Sequence, residues 1–289
     1  MRAAKRPELL ICRELTRPLE FATMGLRHLR DELTEVPGPL CTEGLFVLVM
    51  ARCDAMLQDS LRCYLRGVPG KIPFERERKE IRREDAVSTD LPARLADRYV
   101  QQWGYKATAI MVRTYCHLLS VNEVTQGTLE AIVYAKDKRN RILHDAPPEP
   151  WLPGTLASHG VRIDDVRKAA DAVEALTGEL KQAIEAKYGS YTRAAALQRL
   201  WAYLFHSPVM PFDKFWSIED SGDFTRYVAG EAEECILSSS ELMFVGVLKA
   251  HFNGGQTTPH QPVQMFMLDE THRDRMLYLL STLSDFRIG

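Results

Sequence analysis

The sequence predicts an all-α protein. Apolar residues recur at three- and four-residue intervals through most of the 289 residues, whereas the apolar–polar alternation of a half-buried strand is almost absent. Glycines and prolines mostly separate these periodic stretches, as expected where helices end. No repeat of fixed period is present.

The order of the periodic stretches divides the chain into three parts. Residues 1–39 contain one amphipathic stretch, 19–35, before Pro37, Gly38 and Pro39, and we expect an N-terminal helical extension there. Residues 40–190 are expected to form a helical domain. Residues 191–289 are more mixed and are expected to form a mainly helical C-terminal domain, whose role the sequence does not indicate.

The helical domain is expected to contain four to five helices. The first, 44–66, carries apolar residues throughout and is closed by Gly67. A charged connection follows, with a short polar helix at 74–83. The later helices are expected at 92–119, broken at Gly104, at 128–145, and at 164–188, closed by Gly189.

The C-terminal part is expected to hold three helices, within 192–207, 238–255 and 269–283. The second opens with Ser238 and Glu241 in capping-box spacing. The segment 262–268 is a candidate short strand. The aromatic residues of the first, Trp201, Tyr203 and Phe205, are expected to pack in a core rather than to stack on nucleic-acid bases.

Composition excludes several classes of function. A net charge of −2 argues against a polycation that coats nucleic acid, although basic residues cluster locally. The N-terminus lacks the apolar segment of a signal peptide, and the longest apolar run, 45–51, is too short to cross a bilayer, so we expect a cytoplasmic protein with no membrane partner.

Six cysteines without a C-x-x-C pair indicate reduced thiols. No metal-binding, P-loop, Rossmann or G-x-S-x-G pattern occurs, and no cofactor is expected.

One helix changes chemistry along its length. In the helix expected at 128–145, Leu129, Ile132 and Val133 share a face, and the same face continues through polar residues. The polar residues are Lys136, Arg139, Asn140 and His144, and Leu143 lies among them on the same face. Unpaired polar groups are costly to bury, at roughly 1–3 kcal/mol each, so this end is expected to meet a ligand.

A second interpretation of the same helix stays open. Its buried stripe could instead be formed by Ala131, Tyr134, Ala135 and Ile142. The basic residues would then be a solvated face with no special role.

The spacing of Arg139, Asn140 and His144 matches the R-N-x-x-x-H motif of the HEPN superfamily, helical domains found in bacterial toxins, abortive-infection proteins and RNA-cleaving effectors. Residues 40–190 resemble this family, because the motif ends a late helix that precedes a closing long helix. The upstream helix with an embedded acid resembles the first helix of several bacterial HEPN groups. In those groups an acid of this helix often faces the active site, and Asp54 is the best match, with Asp59 second.

The resemblance implies an up-and-down helical bundle that cleaves RNA without metal, through attack of the 2′-hydroxyl on the adjacent phosphate. Histidine suits the proton transfers, because its ordinary pKa lies near neutrality, and arginine suits the phosphate, because it grips two oxygens and stays charged. His144 would be the general base or acid, Arg139 the electrostatic stabiliser and Asn140 the orienting amide. Lys136 and Arg141 would hold the RNA backbone.

The family also implies a homodimer, since one motif supplies too few groups for both proton transfers, and products with 2′,3′-cyclic phosphate ends. The physiological role by analogy is that of a toxin or anti-phage effector, with an antitoxin or regulatory protein as partner. Two alternatives remain open. One is a non-catalytic HEPN module that binds RNA, nucleotide or protein, and the other is a regulatory partner in a defence complex with 191–289 as its interaction surface.

Overall fold

The structure is a computed structural model. It describes residues 7–32, 38–68, 71, 91–105, 107–144, 159–205, 216–218, 224–227, 238–252 and 268–282. The fold is all-α, as predicted, apart from one short two-stranded ladder. The chain divides into two compact units. The larger comprises Cys12–Glu80 and Pro92–Gly189, and the smaller comprises Met1–Ile11, Ile81–Leu91 and Ser190–Gly289.

The larger unit contains six α-helices in its described part. They are α1 (Cys12–Glu32), α2 (Pro39–Gly67), α3 (Leu91–Gln101), α4 (Thr108–Leu119), α5 (Gln126–His144) and α6 (Ile163–Tyr188). Helix α2 packs against α1, α4, α5 and α6, and α6 also packs against α1 and α5. The region expected to be an N-terminal extension thus supplies α1 to this unit, because the apolar face of α1 is covered by α2 and α6.

Helices begin and end near the prolines and glycines of the sequence. Helix α2 begins at Pro39, five residues before its expected start, since the first residue of a helix needs no backbone N–H partner. The break expected at Gly104 is present, as a 3₁₀ turn at Gln102–Tyr105 that separates α3 from α4. The polar helix expected at 74–83 lies outside the described residues.

Helix α2 is the centre of the core. Phe46, Val49, Leu57 and Leu61 are each at most 2% exposed. The hydroxyl of buried Ser60 donates to the carbonyl of Leu15 in α1 (2.8 Å) and lies 2.6 Å from the Tyr115 hydroxyl in α4. Burial raises the pKa of Tyr115, so this phenol stays neutral and serves the hydrogen bond.

The smaller unit contains α7 (Arg193–Leu204), β1 (Trp216–Ile218), β2 (Phe224–Tyr227), α8 (Ser239–Phe252) and α9 (Glu270–Thr282). The capping box before α8 forms as predicted, since the Ser238 N–H donates to the Glu241 carboxylate (2.9 Å) and the Glu241 N–H to the Ser238 hydroxyl (3.3 Å). The strands pair antiparallel, an element that the sequence did not predict. The candidate strand at 262–268 lies outside the described residues, except for Leu268.

Aromatic residues build the core of this unit. Trp201, Tyr203 and Phe205 are 4%, 7% and 5% exposed, and the Phe205 ring meets that of Phe244 edge-on at 5.9 Å. The expectation that these residues pack in a core rather than bind bases is confirmed.

Candidate active site

Helix α5 carries the predicted motif, and its first turn is fixed by one carboxylate of α6. The Thr125 N–H donates to Glu179 Oε2 (2.6 Å), and the Thr125 and Thr128 hydroxyls donate to Oε1 (2.9 and 2.6 Å). Partial burial raises the pKa of Glu179, but the hydrogen bonds from Thr128 and Thr125 outweigh it and hold the pKa below its ordinary value. The start of α5 is therefore held by a charged acceptor.

The buried stripe of α5 follows the first of the two sequence interpretations. Leu129 and Ile132 are 5% and 0% exposed, and Val133 is half-buried. On the competing face, Ala131 is exposed and Tyr134 is 69% exposed, although Ala135 is buried. The face that becomes polar further on is thus the one that packs against the core.

Lys136 is the first polar residue of that face, and it is 8% exposed. Its ammonium forms an ion pair with the carboxylate of Asp54 in α2. A buried ammonium needs a counter-charge, because desolvation of an unpaired ion is expensive. This placement differs from the expected contact with the RNA backbone, since Lys136 is directed at Asp54 rather than at solvent.

The two candidate acids of α2 lie on different sides of the helix. Asp54 faces α5, whereas Asp59 is exposed and pairs with Arg62 (2.5 Å). Asp59 also lines a cavity with residues of α1, among them Arg17 and Phe21. Of the two, Asp54 is the acid that contacts the helix with the motif.

The cysteine beside Asp54 is a buried thiol with a raised pKa. Burial, and then the Asp54 charge, raise the pKa of Cys53 to about 12, although Lys136 opposes the shift. The five described cysteines are all free, as predicted. Among the described residues, no group of three or more His, Cys, Asp or Glu side chains is placed to hold a metal ion.

Arg139 and Asn140 follow at the half-buried part of the face. Arg139 Nη1 donates to Asn140 Oδ1 at 3.0 Å. Arg139 Nε is buried and has no hydrogen-bond partner in the described part of the chain. The amide therefore orients the guanidinium, which keeps a donor unused.

His144 is the last residue of α5, and it is exposed, as is Arg141. Asn140 and His144 are one turn apart, and hence neighbours on the helix surface. No hydrogen bond joins Arg139 to His144 among the contacts of the described residues. Residues 145–158, which follow the motif, lie outside the description.

Two functional contacts of α5 were not anticipated. One is the Glu179 anchor, which is 51 residues from Thr128 and leaves no local signal. The other is the ion pair of Lys138 with Asp165 (2.9 Å), which places a second α5 lysine against α6. Asp165 also accepts a hydrogen bond from the Arg162 N–H at the start of α6 (2.9 Å), but Arg-x-x-Asp lacks the Ser or Thr of a capping box and carries no clear signal in the sequence.

No protein-family model matches the chain, and no curated protein or solved structure gives a significant match. Of the helices described, none has both the length and the apolar character needed to cross a membrane.

Proposed function

We propose that the protein is a metal-independent endoribonuclease of the HEPN type. The observation that carries the proposal is the hydrogen bond between Arg139 and Asn140 at the end of α5, one turn before the exposed imidazole of His144. A guanidinium, an amide that orients it and an accessible imidazole are the groups that cleavage by a 2′-hydroxyl requires.

In this mechanism the 2′-oxygen of RNA attacks the adjacent phosphorus, and the bond to the 5′-oxygen of the next nucleotide breaks. His144 removes the 2′-hydroxyl proton or protonates the leaving oxygen. Arg139 binds the oxygens of the phosphate as their charge increases, and Asn140 keeps its guanidinium oriented. The products are a 2′,3′-cyclic phosphate and a 5′-hydroxyl.

The remaining residues act around these three. Arg141 is exposed and contacts the RNA backbone. The ion pair between Lys136 and Asp54 holds α5 against α2, one turn before Arg139, and so positions the motif rather than binding RNA. Asp59 has no part in the site, because it lies on the α1 side of α2.

Each chain supplies one His144, whereas cleavage needs both a base and an acid. We propose a homodimer in which two motifs meet, and a physiological role as a toxin or anti-phage effector in the cytoplasm, restrained by an antitoxin or regulatory protein. The supporting argument for the dimer is the count of proton-transfer groups, and that for the role is family analogy.

The test is cleavage of a labelled RNA in excess chelator by wild type, His144→Ala and Arg139→Ala. Loss of the histidine is expected to slow cleavage about 10²–10⁴-fold, and loss of the arginine about 10²–10³-fold. His117→Ala and Arg167→Ala remove the same side chains from exposed positions of α4 and α6 and are expected to leave the rate unchanged.

Cleavage at the wild-type rate in both motif variants would rule out this mechanism. RNA binding by wild type with no cleavage would instead favour the non-catalytic module. The end group is decided separately, since acid treatment of a 2′,3′-cyclic phosphate releases 2′- and 3′-monophosphates.

A further inference from the structure

A cavity of about 390 Å³ lies between α2, α5 and α6, in the larger unit. Its floor is Phe46, which is 2% exposed, and its walls include alanines of two helices. These are Ala131, Ala135, Ala169 and Ala172. Because methyl groups leave the space between the helices unfilled, the cavity has flat, apolar walls.

One aromatic ring stands at the mouth of the cavity. Tyr134 lines it and is 69% exposed, and its hydroxyl has no hydrogen-bond partner within the described residues. A large ring left in solvent beside an apolar cavity gains burial when a second ring stacks on it. This is the α5 face that the sequence offered as a core stripe, and the core buries its Ala135 but leaves Ala131 and Tyr134 exposed.

Charged residues line the rim of the cavity, and one of them, Lys168, has no ion-pair partner among the described residues. Lys138 pairs with Asp165 (2.9 Å), and Asp171 pairs with Arg30 of α1 (2.5 Å). Lys168 lines the same rim, is exposed, and forms no ion pair with any described residue. The cavity therefore presents an apolar interior and, at its rim, one lysine that pairs with no described carboxylate.

We propose that this cavity binds a small ligand with a flat, mainly apolar ring system and a single negative charge. Its volume falls within the range of small-molecule sites, about 300–1,000 Å³, and such sites are mainly apolar with few polar groups. The rings enter between the alanines and stack on Tyr134, and the anion meets Lys168. This chemistry fits an aromatic carboxylate. A nucleoside monophosphate fits it less well, because its phosphate carries nearly two negative charges at neutral pH and its ribose is polar.

The cavity and the proposed nuclease motif use different residues, although they are neighbours on α5. Lys138, which lines the cavity, directly precedes Arg139, whereas Asn140 lies about 160° round the helix from Lys138. Loss of ligand binding and loss of RNA cleavage are therefore distinguishable, because different residues carry them.

The experiment is a fluorescence titration of the full chain with 8-anilinonaphthalene-1-sulfonate, an aromatic monoanion whose naphthalene ring is flat. Saturable binding with one site per chain is expected. Ala131→Trp fills the cavity from an exposed position, and Lys168→Gln removes the cation, so each is expected to weaken binding at least tenfold. Matched controls are Ala186→Trp, at an exposed position of α6 outside the cavity, and Lys181→Gln, which removes a lysine that pairs with Glu20.

Absence of saturable binding, or equal weakening by the test and control variants, would overturn the proposal. Far-UV circular dichroism and thermal unfolding establish that Ala131→Trp is folded, and Lys168→Gln supplies a second test that adds no bulk. Displacement of the dye by 1-naphthoate and not by AMP supports an aromatic monoanion as the ligand class. Displacement by AMP alone, or by neither compound, contradicts the inference.

Discussion

The two halves of α5 differ in how far the rest of the larger unit covers them. The first half is held by the rest of the larger unit, through the Glu179 anchor and the buried side chains of Leu129 and Ile132. The second half ends in exposed residues, among them Arg141 and His144. Buried and exposed residues thus lie on different turns of one helix. If the motif acts as proposed, it is carried by a helix whose packing does not depend on it.

The boundary between the halves is the ion pair of Lys136 with Asp54. Its two side chains are 9% and 20% exposed, and the Lys138–Asp165 pair beside it is covered to a similar degree, at 23% and 15%. Beyond it, Arg139 and Asn140 satisfy each other only in part. Changes placed on either side of this boundary should therefore separate effects on folding from effects on activity.

The largest expected effect on folding is that of Ile132→Ala. Ile132 is fully buried, and truncation leaves a cavity in a packed interior, so we expect a loss of about 3–4 kcal/mol in the free energy of unfolding. Urea unfolding followed by far-UV circular dichroism measures it. Leu143→Ala removes an apolar side chain that is 46% exposed, and it is expected to change stability by about 0.5 kcal/mol or less. Similar losses in both variants would contradict the division of α5.

A smaller loss is expected for Asp54→Asn, which leaves the Lys136 ammonium covered and without its carboxylate. We expect about 2–3 kcal/mol, below the value for a fully buried pair because Asp54 is partly exposed. Asp59→Asn is the matched control, since it breaks an exposed pair with Arg62 and is expected to cost about 0–1 kcal/mol. If Lys136→Met added to Asp54→Asn restored no stability, the loss would not come from the stranded charge.

The sequence predicted the helices well, because each depends on local information. The apolar period predicted α2, α5 and α6, and Gly104 marked the break between α3 and α4. The strands β1 and β2 were missed, because strands of three and four residues are too short to show alternation.

The candidate site was harder to predict from the sequence, because its arrangement depends on which face of α2 packs against which face of α5. Period alone could not decide between Asp54 and Asp59, since that choice depends on the side of α2 that α5 covers. Lys136 was expected at the surface, because nothing in its own helix reveals the carboxylate 82 residues away. Tyr134 shows the converse, an aromatic residue with helical spacing that the core leaves exposed.

The smallest expected effect tests the anchor of α5 through its pH dependence. Glu179→Gln replaces a charged acceptor with a neutral one, and we expect a loss of about 1 kcal/mol in the free energy of unfolding at pH 7. The pKa of Glu179 is lower in the folded state than its ordinary value, so the folded state binds fewer protons and gains stability as the pH rises. The difference in the free energy of unfolding between wild type and Glu179→Gln should have its full value above about pH 5. It should disappear as the pH falls below about 4.

Urea unfolding at a series of pH values measures this difference. Glu185→Gln removes one negative charge from an exposed position of the same helix and is expected to cost less than half as much. A difference that stays constant down to pH 3 would mean that the carboxylate charge contributes nothing to the anchor. The first turn of α5 would then be held by packing and by hydrogen bonds that do not depend on that charge.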